Sequence, residues 1–143
     1  MAKWRAEALK RLPEHQRVIE AAPSIMSLWI ELSPLFHRAY EVEPRDESLI
    51  ARIYGFADWC MQAPRHDDAG HDPLSAVACA FYEHIPTHGP ARDDMPRWFR
   101  PDEVARSREV FAYLIGDEKF EKLLAYMKQH RDRYVKRRPG ATA

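Results

Sequence analysis

The chain has 143 residues, 45% hydrophobic and 31% charged, which is typical of one globular domain and excludes a disordered chain. Lysine plus arginine and aspartate plus glutamate both total 22, so no net field attracts nucleic acid or an anionic membrane. The charged N-terminus does not resemble a signal peptide, and no apolar run approaches the roughly 20 residues of a membrane span. We therefore expect a cytoplasmic protein without a membrane partner.

Apolar residues recur at helical spacing along the chain, and this pattern predicts an all-α fold. We expect a single-domain bundle of five to seven helices over residues 1–143. Residues 2–12 predict a short charged helix that ends near Pro13. The N-terminal segment 1–23 as a whole is predicted to be peripheral to the bundle.

Two long helices are predicted next in the chain. Ser24 is the expected N-cap of the first, and Pro34 inside it predicts a kink or a junction between two helices. Asp46 marks the start of the second, which should end at Pro64.

The following helix is the most apolar segment of the sequence. Asp72 followed by Pro73 is a strong start signal, and the helix should extend to about residue 85, where Pro86 disfavours helical geometry in the residue before it. From residue 74 to 82 only Ser75 is polar. A helix that is apolar on every face is usually buried, so residues 73–85 are predicted to be the central helix.

The last third of the chain predicts two helices and a tail. Pro101 should be the first residue of one helix, and Gly116 should supply its left-handed C-terminal cap. Asp117 is the expected cap of the last helix. Residues 128–143 are predicted to form a basic, flexible tail.

Cys60 and Cys79 each lie in an apolar helical run. Both are expected to be buried, reduced thiols that pack as small hydrophobic residues. The sequence contains no pair of cysteines at the Cys-x-x-Cys spacing, so it does not indicate a zinc ribbon or a thioredoxin-type site.

Three apolar helical runs each carry one carboxylate: Glu31, Asp58 and Glu83. A buried carboxylate needs a partner, so Glu31 and Asp58 are candidate buried polar residues whose charge an arginine could balance. The candidate partners are Arg38, Arg52, Arg92, Arg97 and His84. The alternative is that each carboxylate lies at the edge of its helix.

The segment "FYEHIPTHGPARDDMPRWF", residues 81–99, combines histidines, carboxylates and arginines with aromatic residues. One interpretation is a loop held by polar bonds, in which Arg92 and Arg97 pair with Glu83 or Asp94. The other is a binding or catalytic surface. Its candidate binding residues are Glu83, His84, His88, Arg92, Asp93, Arg97 and Trp98.

A metal site is the chemical alternative within this segment. His84 and His88 are four residues apart, the spacing that places two ligands on one face of an α-helix. With Glu83 and either Asp93 or Asp94 they could bind zinc and activate water for hydrolysis. Pro86 lies between the two histidines and is expected to disturb that geometry.

The runs "IYGFADWC", "VACAFYEHIPTH" and "MPRWF" resemble a group of uncharacterised, mainly bacterial small helical proteins. In that group an aromatic-Glu-His-aliphatic-Pro-Thr-His segment precedes a tryptophan-bearing loop, and the similarity covers roughly residues 24–127. The resemblance implies a single all-α domain from a bacterium, and it implies no catalytic residues.

The sequence contains no glycine-rich phosphate loop and no Gly-x-Ser-x-Gly motif, and no nucleophile can be assigned with its base. It therefore favours a protein that binds another protein, as an immunity- or accessory-type factor, over an enzyme. We expect no cofactor, and the alternative is a small zinc-dependent hydrolase. Nucleic-acid binding through the basic tail is the third hypothesis, and the oligomeric state is left open.

Overall fold

A computed structural model describes residues 1–135 of the protein, and every regular element in that range is helical. The predicted all-α fold is confirmed. The described residues form two compact units, one of residues 1–81 and one of the residues from Tyr82 onward. The prediction of a single domain over the whole chain stays a prediction.

Residues 1–135 contain ten α-helices and four short 3₁₀-helices, more than the five to seven helices predicted. The helices of the first unit are α1 (Lys3–Arg11), α2 (Gln16–Ala21), α3 (Ile25–Glu41), α4 (Glu47–Gln62) and α5 (Pro73–Ala80). Those of the second are α6 (Gly89–Asp93), α7 (Met95–Trp98), α8 (Pro101–Arg106), α9 (Arg108–Phe111) and α10 (Gly116–Gln129). The 3₁₀-helices are Pro13–His15, Ala69–His71, Tyr82–Thr87 and Arg131–Arg133.

The predicted starts of three helices are confirmed by their caps. The Ser24 hydroxyl accepts a hydrogen bond from the Ser27 N–H at 3.1 Å, and the Asp46 carboxylate accepts one from the Leu49 N–H at 3.1 Å. Asp72 does the same for α5. Each side chain satisfies a backbone donor that the first turn of a helix leaves without a partner.

The helix α3 continues through Pro34, so the predicted junction between two helices is wrong and the alternative, a kink, stays a prediction. Proline removes one backbone donor, and the carbonyl that loses this hydrogen bond is that of Ile30. Both residues lie on the exposed side of α3, and the Ile30 side chain is 58% exposed. Water can therefore replace the missing hydrogen bond without breaking the helix.

Stacked aromatic rings form the core of the first unit. The indole of Trp29 stacks on Phe56 and on Phe81, with ring centroids 5.2 and 4.8 Å away. The edges of Phe36 and Tyr54 pack against Phe81 at 4.7 and 5.7 Å. These five side chains are fully buried. They come from α3, α4 and the end of α5, so the stack holds those helices together.

The N-terminal segment 1–23, predicted to be peripheral, places Ala8, Leu12 and Ile19 in the buried interior of the first unit. Its helix α1 packs against α4. The Arg5 guanidinium donates to the carbonyl of Ile19 at 2.6 Å, at the end of α2. This bond satisfies a carbonyl that the helix end leaves open.

The central apolar helix is shorter than predicted. It was expected over residues 73–85, but α5 ends at Ala80 and a 3₁₀-helix follows over Tyr82–Thr87. Pro86 explains the change, because its ring would crowd the carbonyl four residues earlier and it donates no hydrogen bond. α5 does pack against α3 and α4, as a central helix should.

The two cysteines differ in burial, contrary to the prediction that both are buried. Cys60 is buried, and burial raises the pKa of its thiol to about 12, although the nearby Trp29 indole opposes the shift. Cys79 is exposed. The short helix α5 buries Ala76, Val77 and Ala80, and Cys79 lies outside that buried side.

Asp72 organises the loop before α5. Its side chain is 1% exposed, and its carboxylate accepts hydrogen bonds from the Arg65 guanidinium at 3.0 Å and from the Ser75 hydroxyl at 2.7 Å. The backbone N–H of His66 donates to it at 3.1 Å. The Arg65 hydrogen bond is the largest cause that holds the pKa of Asp72 well below its ordinary value.

This depressed pKa predicts a pH-dependent contribution to stability. The unfolded carboxylate titrates near pH 3.9, so the stabilisation by ionised Asp72 is complete above about pH 4 and is lost as the pH falls further. We expect Asp72→Asn to destabilise the protein at about pH 6 and to do so less at about pH 3. Urea unfolding of both proteins at the two pH values measures this, and an equal difference at both would contradict the role of the charge.

The region predicted as one helix after Pro101 is divided. Pro101 is its first residue, as predicted, but the chain forms α8, α9 and a turn before α10. Gly116 has φ +84°, which confirms its predicted left-handed conformation, and its N–H donates to the Ala112 carbonyl at 2.8 Å. The predicted cap of the helix that starts at Pro101 is wrong, because α9 ends at Phe111 and Gly116 is the first residue of α10. The predicted cap at Asp117 is wrong, because α10 begins at Gly116 and Asp117 lies in its first turn.

Among the helices of residues 1–135, none combines the length and the apolar character that a bilayer crossing requires.

The predicted tail 128–143 begins within α10, and the Val135 N–H donates to the Arg97 carbonyl at 2.9 Å. Residues 136–143, half of the predicted tail, lie outside the described range, and the described half is helical over residues 128–129 and 131–133.

Candidate functional site

The segment singled out by the sequence, residues 81–99, is a succession of short helices. The 3₁₀-helix Tyr82–Thr87 leads into α6, and α7 follows after Asp94. Prolines at positions 90 and 96 lie in the first turns of α6 and α7, where a missing N–H costs little. The sequence therefore folds this segment as turns of helix and not as an open loop.

Asp94 is the polar centre of this segment and is 3% exposed. Its carboxylate accepts two hydrogen bonds from the Arg97 guanidinium, at 2.7 and 2.8 Å, and one from the Trp98 indole N–H at 3.1 Å. The Arg133 guanidinium lies 3.5 Å away. The predicted pairing of Arg97 with Asp94 is confirmed, and it accounts for two of the candidate binding residues, Arg97 and Trp98, as parts of a structural network.

Aromatic packing anchors the two ends of the segment. The ring of Phe99 lies 5.7 Å from Tyr82 and 5.3 Å from Phe111 between centroids, and all three are buried. Met95 is also fully buried. The predicted packing role is thus confirmed for Met95 and Phe99, while Trp98 is only half-buried.

The two histidines do not share one helical face. A 3₁₀-helix has three residues per turn, so positions four apart are separated by about 120°. Moreover, His88 lies beyond the 3₁₀-helix, in extended conformation at the N-terminus of α6. The i, i+4 geometry considered for His84 and His88 is therefore not formed, and within residues 1–135 no group of three histidine, cysteine, aspartate or glutamate residues is arranged to hold a metal ion.

Glu83 and His84 are both half-buried in the 3₁₀-helix. Burial raises the pKa of the Glu83 carboxyl above its ordinary value, and the electrostatic interaction with neighbouring His84 opposes this shift. The Thr87 hydroxyl donates to the His84 carbonyl at 2.6 Å. This hydrogen bond closes the turn from His84 to Thr87, which contains Pro86.

The two candidate buried carboxylates have different environments. Asp58 on α4 is buried, with 9% exposure, as predicted. Glu31 is exposed, so it is not a buried polar residue, and the alternative that it lies at the outer edge of its helix holds instead. It lies on the same outer side of α3 as Ile30, which the apolar sequence alone did not reveal. Arg52, a suggested partner, instead forms two hydrogen bonds to Glu14, at 2.6 and 2.8 Å.

A groove in the second unit contains two of the predicted binding residues, Arg92 and Asp93. Its volume is about 390 Å³. Its apolar and aromatic lining consists of Pro86, Ile115, Leu123 and Tyr126. Its charged lining consists of Arg92, Asp93, Lys119 and Lys122. The groove therefore joins the 86–93 segment to the first three turns of α10.

Hydrogen bonds hold the two walls of the groove together. The Tyr126 hydroxyl donates to the backbone carbonyl of Asp93 at 2.7 Å. The Arg133 guanidinium donates to the same carbonyl at 3.4 Å and to the Tyr126 oxygen at 3.3 Å. These bonds hold α10 against the end of α6 and so keep the two sides of the groove together.

Sequence reasoning did not identify the α10 half of the groove. The available signal was the pattern Ile115, Lys119, Lys122 and Tyr126, whose spacings of three and four residues place them along one side of a helix. This stripe lies beside the buried face of α10, which carries Phe120 and Met127. The sequence alone does not identify this stripe as part of a groove, because the opposing segment 86–93 is far away in the chain.

Two smaller grooves lie within residues 1–81 of the first unit. One, of about 340 Å³, has an apolar lining that includes Val18 and Pro23, with Arg17 and Glu31 as its charged residues. The other, of about 200 Å³, is lined in part by two tryptophans and two histidines: Trp4, Trp59, His66 and His71. In the groove of about 340 Å³ the positive charge of Arg17 balances the negative charge of Glu31, so this groove does not favour a charged partner.

Comparisons of the chain with protein-family models, with curated proteins and with solved structures find no match. The resemblance of residues 24–127 to small bacterial helical proteins stays a prediction. The functional argument therefore rests on the geometry and charge of the groove.

Proposed function

We propose that the protein acts by binding another protein, as an accessory- or immunity-type factor and not as an enzyme. The groove formed by residues 86–93 and α10 is the proposed contact surface. The observation that carries the proposal is the combination of an apolar floor with a charged rim, because a dry centre surrounded by polar residues is the usual organisation of a protein interface.

The residues around the groove are of the types that contribute most to binding. Tyr126 and Arg92 line it, and tyrosine and arginine are enriched among residues that dominate binding energy. The turn before α10 adds two exposed apolar side chains next to Ile115 in the chain, Tyr113 at 72% and Leu114 at 45% exposure. Apolar groups this exposed gain from being covered by a partner.

The proposed surface differs from the one suggested by the sequence in its anchors. Arg97 and Trp98 were candidate anchors, but the carboxylate of Asp94 holds both side chains. Their polar groups would have to leave a buried partner in order to bind another protein, which is costly. Tyr113 and Ile115 therefore replace them as the proposed contacts.

Site-specific photo-crosslinking in the cells that naturally make the protein tests the proposal. A benzophenone amino acid at Tyr113 replaces one aromatic side chain by another and leaves the charge of the groove unchanged. We expect it to form an adduct with a distinct second protein. The matched control carries the crosslinker at Ile30, a comparably exposed apolar position at 58% exposure in the first unit.

The two crosslinker positions distinguish contact at the groove from contact at the exposed side of α3. An adduct from Tyr113 that is absent or much weaker from Ile30 would support the groove as the contact surface. No adduct from Tyr113, or one formed equally from both positions, would contradict it.

A further inference from the structure

We propose that the groove binds an acidic peptide segment. One or two apolar side chains of this segment would contact the apolar floor of the groove, and its carboxylates would face the charged rim. This inference rests on the proposed function, and it identifies the chemistry of the partner. Four properties of the groove support it: its charge, its supply of hydrogen-bond donors, its aliphatic floor and its size.

The charge of the groove is positive although the chain as a whole is neutral. Among the described residues that line it, Arg92, Lys119 and Lys122 are cationic and Asp93 is anionic. The Asp93 carboxylate lies 3.3 Å from the Arg92 guanidinium, so these two charges largely offset each other. The two lysines of α10 then determine the local potential.

Neither lysine is strongly neutralised by its surroundings. Lys122 lies 3.9 Å from Glu118, and the two side chains are 77% and 89% exposed, which makes this ion pair weak. Lys119 is exposed and forms no ion pair within residues 1–135. Both ammonium groups are therefore available to a carboxylate of a partner.

Hydrogen-bonding groups in the groove are mostly donors. The ammonium groups of Lys119 and Lys122 carry donors and no acceptor. Asp93 supplies acceptors, but they already have donors: its carbonyl receives the Tyr126 hydroxyl and the Arg133 guanidinium, and its carboxylate receives the Arg92 guanidinium. An occupant rich in acceptors, such as aspartate or glutamate side chains, complements this arrangement.

The floor of the groove favours an aliphatic or small aromatic side chain. It consists largely of Pro86, Ile115 and Leu123. The volume of about 390 Å³ is at the lower end of the roughly 300–1,000 Å³ found for ligand sites, so it accommodates a short segment and not a domain. Single-stranded nucleic acid is a poorer fit because it is usually held by exposed aromatic rings, and Tyr126, the aromatic residue among those that line the groove, is half-buried and bonded to Asp93.

Selection of displayed random peptides of about twelve residues against the full-length protein tests the inference, followed by fluorescence anisotropy of the enriched peptides. We expect enrichment of peptides that carry several acidic residues around one apolar residue. The double variant Lys119→Glu/Lys122→Glu should weaken their binding by at least about tenfold, and added salt should weaken binding to the unaltered protein.

The matched control is Lys128→Glu, a charge reversal on the same helix. Residue 128 is nine positions from residue 119, which places it about 180° around α10 from Lys119. Binding to this variant should be unchanged within about twofold. Circular dichroism of all variants shows whether α10 is still folded.

Several results would overturn the acidic-peptide inference. These are enrichment of neutral or basic peptides, no enrichment at all, or binding that the double variant leaves intact. Tighter binding of a labelled single-stranded DNA, lost in the double variant, would instead identify a nucleic-acid site. None of these results changes the Tyr113 crosslink in cells, so failure of this inference is distinguishable from failure of the proposed function.

Discussion

Replacing Asp94 with alanine is expected to lower the free energy of unfolding by about 2–4 kcal/mol. The change removes two hydrogen bonds to Arg97 and one to Trp98, and it leaves a partly buried guanidinium without its counter-charge. Arg97 is 26% exposed, so water recovers part of the loss and the value stays below the upper limit for buried ion pairs. Urea denaturation followed by circular dichroism measures the difference.

The neighbouring residue supplies the control for this prediction. Asp93→Ala removes the same chemical group, but the Asp93 side chain is 61% exposed and pairs only with exposed Arg92 among residues 1–135. Its backbone carbonyl, which accepts the Tyr126 hydroxyl, is unaffected. We expect a change within about 0.5 kcal/mol. Equal effects of the two substitutions would show that Asp94 is not the centre of the network.

The second large effect is expected in the aromatic core of the first unit. Trp29→Ala should destabilise the protein by about 3–5 kcal/mol, because the indole is fully buried and stacks on Phe56 and Phe81. Trp29→Phe keeps one aromatic ring in the stack and should cost less. A loss of this size is a large fraction of the roughly 5–15 kcal/mol that stabilises a typical domain.

Ile30 on the same helix is the comparison for Trp29. It is adjacent in the chain and 58% exposed, so Ile30→Ala should change the free energy of unfolding by no more than about 0.5 kcal/mol. Urea unfolding of the three variants tests the pattern. A Trp29→Ala variant as stable as Ile30→Ala would mean that the aromatic stack contributes little.

The candidate site was predictable in part. The sequence drew attention to residues 81–99 because of their mixture of charged and aromatic residues, and Arg92 and Asp93 do line the groove. It could not assign different roles to Asp93 and Asp94, which are identical side chains one position apart. Burial separates them, since Asp94 is 3% exposed and Asp93 is 61% exposed.

The zinc hypothesis depended on a local spacing that the backbone does not preserve. The i, i+4 spacing of His84 and His88 places the two side chains on one face only if the intervening turn is α-helical. The chain forms a 3₁₀-helix there instead, with His88 beyond its end. Pro86 was the signal for this change, because proline inside a turn excludes the ordinary α-helical hydrogen bond.

By itself the sequence determined the helical class of the protein and the points at which helices begin, such as Ser24, Asp46, Asp72 and Pro101. These features depend on backbone groups within about four residues, so local side chains decide them. Only the tertiary structure decided that Glu31 is exposed and that the 86–93 segment meets α10 in a groove. Such contacts join segments far apart in the chain, and their free energy depends on which faces become buried together, which no local pattern specifies.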